Sequence, residues 1–255
     1  MSPEPLCCAD RLLLFLYPEK KSFPLIPRSI PSSRLGFTLI ELLAVMGVMV
    51  LVAMFAMPAV NPLLKGSQLA QGAQDIGDQL GLARQTAISS NHCVEVRFYK
   101  YADAEAAGEV AGNPATGHFR AIQLFEIPES GGPVALGKLR RLPASVVIDG
   151  GSTLSSLLNP PAAYASPLPV VTSGGQSVAL PRVGTQYTSV AFRFLPDGSM
   201  NLSCLTSNPW FLTLRSVHDK DPSNGALSDA YGKPPHNFFT IQIDATNGHI
   251  KTYRP

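Results

Sequence analysis

Glu41 poses the plainest chemical problem in this sequence. It is the single charge between Phe37 and Met57, a run of 21 mostly apolar residues. A carboxylate carried a few residues into a bilayer costs roughly 2.5–3.5 kcal/mol unless a cation meets it. No Lys, Arg or His lies within that run. The cation that fits this depth is an α-amino group created by cutting the chain before Phe37. A neighbouring subunit, shifted along the helix axis, would present such an amine to Glu41. Glu41 therefore speaks for pairing with a neighbouring chain rather than turnover of a substrate.

Other residue types offer less. No G-x-S-x-G, H-E-x-x-H, phosphate loop or G-x-G-x-x-G occurs. The five histidines, at 92, 118, 218, 236 and 249, are dispersed, with no pair at metal-ligand spacing. Asp219-Lys220-Asp221-Pro222-Ser223-Asn224-Gly225 has the outline of a calcium loop. Asn224 stands where an EF-hand needs Gly, and Ala230 where it needs a bidentate Glu, so the stretch reads as a solvated acidic turn. An enzyme is disfavoured, and no metal or cofactor is expected. Cys7 and Cys8 fall in the first 36 residues, which leaves Cys93 and Cys204. Each lies on an expected strand, in a compartment that permits oxidation. A disulfide between them is expected, against the alternative of two buried free thiols.

The elements that position these residues change period along the chain. As a helix, 37–57 spans about 31 Å at ~1.5 Å per residue, close to the thickness of a bilayer's hydrocarbon. Pro58 then predicts a kink or a loosened turn. Beyond it Leu69, Ala73, Ile76, Leu80, Ala83 and Ala87 recur three or four apart and make one helical face, most simply core against a sheet. After Asn91 the period becomes two. Strands are expected at 93–99, 119–127 and 189–195, with shorter ones at 146–148, 199–204, 210–215, 238–243 and 249–253. Gly-, Pro- and Ser-rich segments at 103–118, 150–176 and 216–236 separate them; loops of that length are usually functional or mobile. The fold expected is α+β, a long N-terminal helix packed on an antiparallel β-rich domain with long loops.

Charge placement bounds the partners. The chain has 255 residues, with 45% hydrophobic, 15% charged and a formal charge of +2. Its pI is about 8.4 and its mean hydropathy +0.12. Charge this sparse excludes a disordered polyelectrolyte, and one apolar run excludes a polytopic membrane protein. The first 36 residues hold five basic and three acidic side chains, so the whole excess lies there. From Phe37 onward the chain carries 15 of each sign and is neutral. Basic residues ahead of an apolar run keep that end in the cytoplasm and send the rest across. DNA is therefore a disfavoured partner. Lys251 and Arg254 are the residues that would contact it, and strand alternation puts them on opposite faces.

Arg34-Leu35-Gly36-Phe37-Thr38-Leu39-Ile40-Glu41 closely resembles the type IV prepilin cleavage and methylation motif. The resemblance implies a cut after Gly36, Phe37 as the methylated N-terminus, and Glu41 as the fifth mature residue. Pro58 becomes residue 58 − 36 = 22, where pilins and pseudopilins commonly carry a helix-kinking Pro. Phe192-Arg193-Phe194-Leu195-Pro196-Asp197-Gly198-Ser199 resembles the F-x-P-D-G segment of H-type minor pseudopilins of type II secretion and of FimT-like minor pilins. The hairpin from Ile241 to Ile250, turning at Asn247-Gly248, resembles their closing hairpin. The long leader and large loops look most like the Verrucomicrobial prepilin-type cassette protein D group.

The organisation implied is a leader at 1–36, a transmembrane and assembly helix at 37–58, an amphipathic helix at 59–90 and an exported pseudopilin domain at 91–255. The function implied is that of a minor pilin or pseudopilin. A prepilin peptidase/methyltransferase would process it, and it would join other pilin subunits in a pilus-like filament of a type II secretion or type IV pilus-like system. Its expected place is the inner (cytoplasmic) membrane, single-pass, with the C-terminal domain periplasmic or extracellular. Two alternatives stand beside this: a DNA- or ligand-binding minor pilin at a filament tip, and a membrane-anchored domain that never polymerises.

Overall fold

The computed structural model describes residues 36–106, 108–172, 175–205 and 209–254, apart from the side chains of 56–63 and 175–178. The expected leader up to Leu35 and the side chain of Pro58 lie outside these described residues. Two compact units divide the chain, Met1–Val50 and Leu51–Pro255. Helix α1, Leu39–Ser90, is assigned without interruption, Pro58 and Pro62 included.

In the first unit every described side chain of α1 is exposed, Leu39 and Ile40 by 81% and 77%. Exposure continues to Phe55. Among the described residues no helix is long and apolar enough to cross a membrane. The described side chains of the apolar run stop at Phe55, two residues before its end at Met57.

In the second unit the helix has one dry face. Leu69, Ala73, Ile76, Leu80, Ala83 and Ala87 are all buried in the core. Each large member of that stripe contributes about 1.5–3 kcal/mol by leaving water. Gly72 lets the helix approach the sheet closely, since a Cβ there would come within 3.1 Å of Val146.

Among the described residues twelve strands follow: β1 Cys93–Tyr101, β2 His118–Ile127, β3 Val134–Ala135, β4 Arg140–Arg141, β5 Val146–Ile148, β6 Val170–Thr172, β7 Gly175–Leu180, β8 Gly184–Gln186, β9 Thr188–Phe194, β10 Trp210–Ser216, β11 Phe238–Ile243 and β12 Ile250–Tyr253. The main sheet runs β12-β11-β10-β5-β2-β1-β9-β6, with β3 and β4 added to β2. All its pairings are antiparallel. Alternation along β1 sorts the two faces. Val94, Val96 and Phe98 join the helix stripe in the core. Tyr99 and Tyr101 point the other way and, with Ala121, Leu180 and Tyr187, form a second small cluster beside the β7–β8 hairpin.

One expected strand is corrected. Residues 199–204 do not form one; only Met200 bridges, to Phe194. After the turn the returning leg makes two rungs, from Leu195 N to Ser199 O and from Asn201 N to Arg193 O, each at 2.9 Å. The Asn201 side chain then accepts the Arg193 N–H at 2.6 Å, so the next rung has no donor and the ladder stops.

Candidate functional site

The residues singled out for processing sit at the start of α1. Gly36 and Phe37 precede its first helical residue, and Phe37 is 78% exposed. The peptide bond between them therefore lies in accessible chain outside the helix. Thr38 caps the helix, its carbonyl accepting the Leu42 N–H at 3.1 Å and its Oγ1 accepting the Glu41 N–H at 3.3 Å. Thr38 Oγ1 donates in turn to Glu41 Oε2 at 3.5 Å. The T-x-x-E spacing is that of a capping box, with the Glu41 carboxylate on the Thr38 hydroxyl instead of its backbone N–H, and the acid in the first turn also suits the helix dipole. Glu41 thus has a local partner within its own chain. A reading centred on charge and apolarity passes over that role, although the spacing that signals it lies inside the same motif.

The cysteines are not paired, which corrects the expected disulfide. Both Cys93 and Cys204 are free. Cys93 is half-buried at the first position of β1, opposite Ile127. Cys204 is exposed and off any strand, because the ladder that would have carried it ends at Asn201; its thiol donates to Leu202 O at 3.5 Å. Nor does Cys204 fit the alternative of a buried thiol. It lines a cavity of about 430 Å³ with Trp210, Asp244, His249 and Lys251. Lys251 pairs across the hairpin with Gln242, whereas the Arg254 guanidinium lies 5.2 Å from the Phe239 ring. The two cations proposed for DNA are not brought to one site.

The two turns that carry the family resemblance do meet. Gly198 and Gly248 both adopt left-handed backbone, at φ 83° and 65°. A Cβ on Gly248 would overlap the Gly198 carbonyl oxygen, and one on Gly198 would come within 3.0 Å of Ile88 Cδ1. Arg84 from α1 donates through Nε to Asn247 O at 2.9 Å and so ties the second turn to the helix. Asp197 braces the first turn by accepting from Ser199 Oγ at 2.6 Å and Ser199 N at 2.9 Å, bonds that hold its carboxyl below the usual range.

A buried polar network organises the longest connections. Asp149, at the end of β5, accepts from Arg215 Nε at 3.0 Å, Gly151 N at 2.9 Å and Tyr231 N at 3.1 Å. Burial pushes the Asp149 carboxyl up, against the pull of these hydrogen bonds and of the Arg215 charge. Arg215 also reaches Ser228 O and stacks 3.6 Å from the centre of the Tyr231 ring. His118 contacts Glu109 at 2.8 Å on one side and Ser228 O at 3.4 Å on the other. Arg120 pairs with the same Glu109 oxygen. The 103–118 and 216–236 segments are thereby pinned to the sheet.

The calcium-like stretch is part of this bracing. Asp221 accepts from Ser223 N at 2.8 Å and Gly232 N at 3.3 Å, so both its oxygens serve the backbone. Among the described residues no group of three or more His, Cys, Asp or Glu could hold a metal ion.

Comparison with known proteins gives one sequence relative and a loose structural likeness. The chain is 34% identical over 89 residues to a fimbrial protein of Dichelobacter nodosus. That match covers 35% of this chain and 51% of the relative, so the chain spans about half the length of the curated protein it matches. Two solved structures of the minor pseudopilin EpsH from the type II secretion system of Vibrio cholerae overlap it at TM-scores of 0.36 and 0.37, with 12% and 13% identity. They cover 74% and 75% of this chain and 98% and 96% of theirs. No family model matches.

Proposed function

We propose that this chain is a pilin-like structural subunit: a minor pilin or pseudopilin cut after Gly36, held in the inner membrane by 37–57 and assembled through that helix into a pilus-like filament. The observation that carries the reading is the Gly36-Phe37-Thr38-Leu39-Ile40-Glu41 motif placed on accessible chain at the head of a helix whose described apolar side chains are exposed as far as Phe55. The stretch of identity with a fimbrial protein supports it. Exposed apolar surface this continuous needs a lipid or protein cover. The membrane would cover it before assembly and equivalent helices of other subunits afterwards. Glu41 would then exchange its long, exposed capping bonds for the charged amine of a neighbour, which sets the axial register. The cap is weak at 3.3–3.5 Å, so the exchange gives up little. A prepilin peptidase/methyltransferase is the processing partner, the β-domain lies on the periplasmic or extracellular side, and a type II secretion or type IV pilus-like system is the setting.

Mass analysis of the mature protein tests this. A chain beginning at N-methyl-Phe37 is expected; an intact first 36 residues, or a cut elsewhere, overturns it. A second reading, that of a ligand-binding minor pilin, draws on one observation, the meeting of the long loops around a cavity.

A further inference from the structure

The cavity where the long loops meet has Asn113, Asn159 and Asp229 in its lining, but the one unmet carboxylate oxygen there, Asp229 Oδ1, is sealed from solvent. The outer face of the sheet carries charges that a ligand can reach. Strand alternation turns Glu95, Arg97 and Tyr99 of β1 and Ser189, Ala191 and Arg193 of β9 to this face, away from the core. Register sets Arg193 opposite Glu95, Ala191 opposite Arg97 and Ser189 opposite Tyr99. Two small residues of β9 thus lie among taller neighbours and leave a trough of about 470 Å³, with Val170 and Thr172 of β6 along its side. The Tyr99 and Tyr187 rings, edge to face at 5.4 Å, bound one end.

The other end holds the charges. Glu95 accepts from Arg97 Nε at 2.6 Å and from Arg193 Nε at 2.8 Å, so each carboxylate oxygen has its own guanidinium. The Glu95 side chain is 9% exposed, those of Arg97 and Arg193 29% and 44%. A ligand therefore meets the arginines and not the acid. Each arginine gives Glu95 a single N–H and keeps its Nη groups. Arg97 also bonds the Tyr99 side chain and stacks 4.2 Å from the centre of the Phe125 ring. Among the described residues nothing takes the Nη groups of Arg193.

Charge decides the class of ligand. Among the described lining residues Glu95, Arg97 and Arg193 are the charged ones, which leaves one positive charge over. Burial pushes the Tyr99 hydroxyl up to about 12, so it adds no negative charge. A cation is repelled, and a doubly charged phosphate monoester is only half neutralised. One carboxylate balances the site, and its planar pair of oxygens matches the edge of a guanidinium. Asn201 also lines the trough; its Oδ1 is taken by the Arg193 N–H, which leaves Nδ2 as a further donor. Val170 and Ala191 offer apolar contact to an aliphatic stem. The geometry points to a binding pocket for a singly charged carboxylate on a short aliphatic stem, clamped by the Nη groups of Arg193 and Arg97. A glutamate side chain of another polypeptide and a free short-chain acid share that chemistry. The inference rests neither on processing at Gly36 nor on assembly.

Nitrogen-15 spectra of the arginine Nε–H groups, on the full chain in a zwitterionic detergent, test it. The probe is N-acetylglutamate α-amide, with N-acetylglutamine amide as its neutral match, butyrate as a free acid and inorganic phosphate as the alternative anion. The glutamate compound should shift the Arg97 and Arg193 signals saturably. It should half-saturate at a concentration at least about tenfold below the glutamine compound, since charge-assisted hydrogen bonds are about twice as strong as neutral ones. Weaker binding of butyrate than of the glutamate compound assigns the site to a polypeptide side chain, and the reverse to a free acid. Arg193→Gln leaves Glu95 paired with Arg97 and should raise half-saturation about tenfold. Val170→Glu, at a position 60% exposed and opposite Ala191, sets a competing carboxylate in the trough and should do the same without altering the melting curve. Equal binding of the glutamate and glutamine compounds, tighter binding of phosphate than of either carboxylate, or half-saturation unchanged in both variants each overturns the assignment.

Discussion

Replacing Gly248 with Ala asks whether the two turns of the C-terminal half are in contact, and Gly225→Ala supplies the matched control. Both glycines sit in left-handed backbone, at φ 65° and 71°. An L-residue there costs about 1–2 kcal/mol from its own Cβ and carbonyl. At Gly225 a new methyl meets nothing within 4 Å, so that cost is the whole effect. At Gly248 the methyl overlaps the Gly198 carbonyl oxygen and comes within 3.0 Å of Arg84 Cδ and Phe194 Cε1. The arginine can swing aside, but the carbonyl belongs to a turn closed by Gly198 N donating to Leu195 O at 2.9 Å. Overpacking against fixed backbone adds about 1–3 kcal/mol. Gly248→Ala should therefore lose about 2–5 kcal/mol and Gly225→Ala about 1–2. At ~2–4 °C per kcal/mol for a domain of this size, a central difference of about 2 kcal/mol separates the two melting temperatures by about 4–8 °C. Thermal unfolding of the full chain in detergent, followed by circular dichroism, measures this. Melting of the two variants within about 1 °C of each other would refute the stacking of the turns.

Four further outcomes are expected. Glu41→Ala should be cut after Gly36 yet be missing from filaments, and Glu41→Gln, which keeps the contact with the Thr38 hydroxyl without the charge, should fail in the same way; assembly of Glu41→Gln would show that capping, not pairing, is what matters. Asp149→Ala leaves Arg215 buried without its carboxylate, both side chains being 1% exposed or less, and should destabilise by about 3–5 kcal/mol in urea unfolding, with a loss below 1 kcal/mol contradicting the network. Mass spectrometry after alkylation without reductant should find two modified thiols beyond Phe37, Cys204 reacting faster than the half-buried Cys93, and an unreactive pair would reinstate the disulfide. The Ser223 N–H holds Asp221 below its usual pKa, so its contribution is present above the unfolded value of about 3.9 and fades as pH falls through the folded one; the protection of the Ser223 amide, taken relative to its intrinsic exchange rate at each pH, should fall on acidification and stay constant on alkalinisation.

How much of this was legible depended on whether a signal was local. Leu69 through Ala87 announced the buried face of α1 because their spacing is the helix's own, and all six are buried. β1, β2, β9, β10 and β11 were legible for the same reason, with each turn of period two written in adjacent residues. β3 and β4 were not, since two exposed residues carry no period and exist as strands only because β2 offers them partners. β6 is three exposed residues laid along β9. The segment 199–204 failed in the opposite sense. It had a pattern, but one side-chain amide, that of Asn201, removed the donor the ladder required. Thr38 was in plain view in the motif, yet its cap was hidden behind the louder question of Glu41.

The long loops make the deepest case. Their length and Gly-, Pro- and Ser-rich composition mark them as functional or mobile. Polar and charged contacts order two of them, 103–118 and 216–236, whereas 150–176 is anchored by Leu157 and Leu158 buried in the main core. Asp149 and Arg215 stand 66 positions apart, Lys100 and Asp229 129, His118 and Ser228 110. Pairs at such separations have no period and leave no trace that a scan along the chain can find. Their energetics also differ from those of an apolar core. A buried ion pair adds little net stability over a well-packed hydrophobe, but it fixes geometry, because removing either partner strands the other. Loops pinned in this way have met most of their ordering entropy during folding. Buried charge in the loops is thus a device for shape, and its cost in stability is reasonable only where a fixed shape is used.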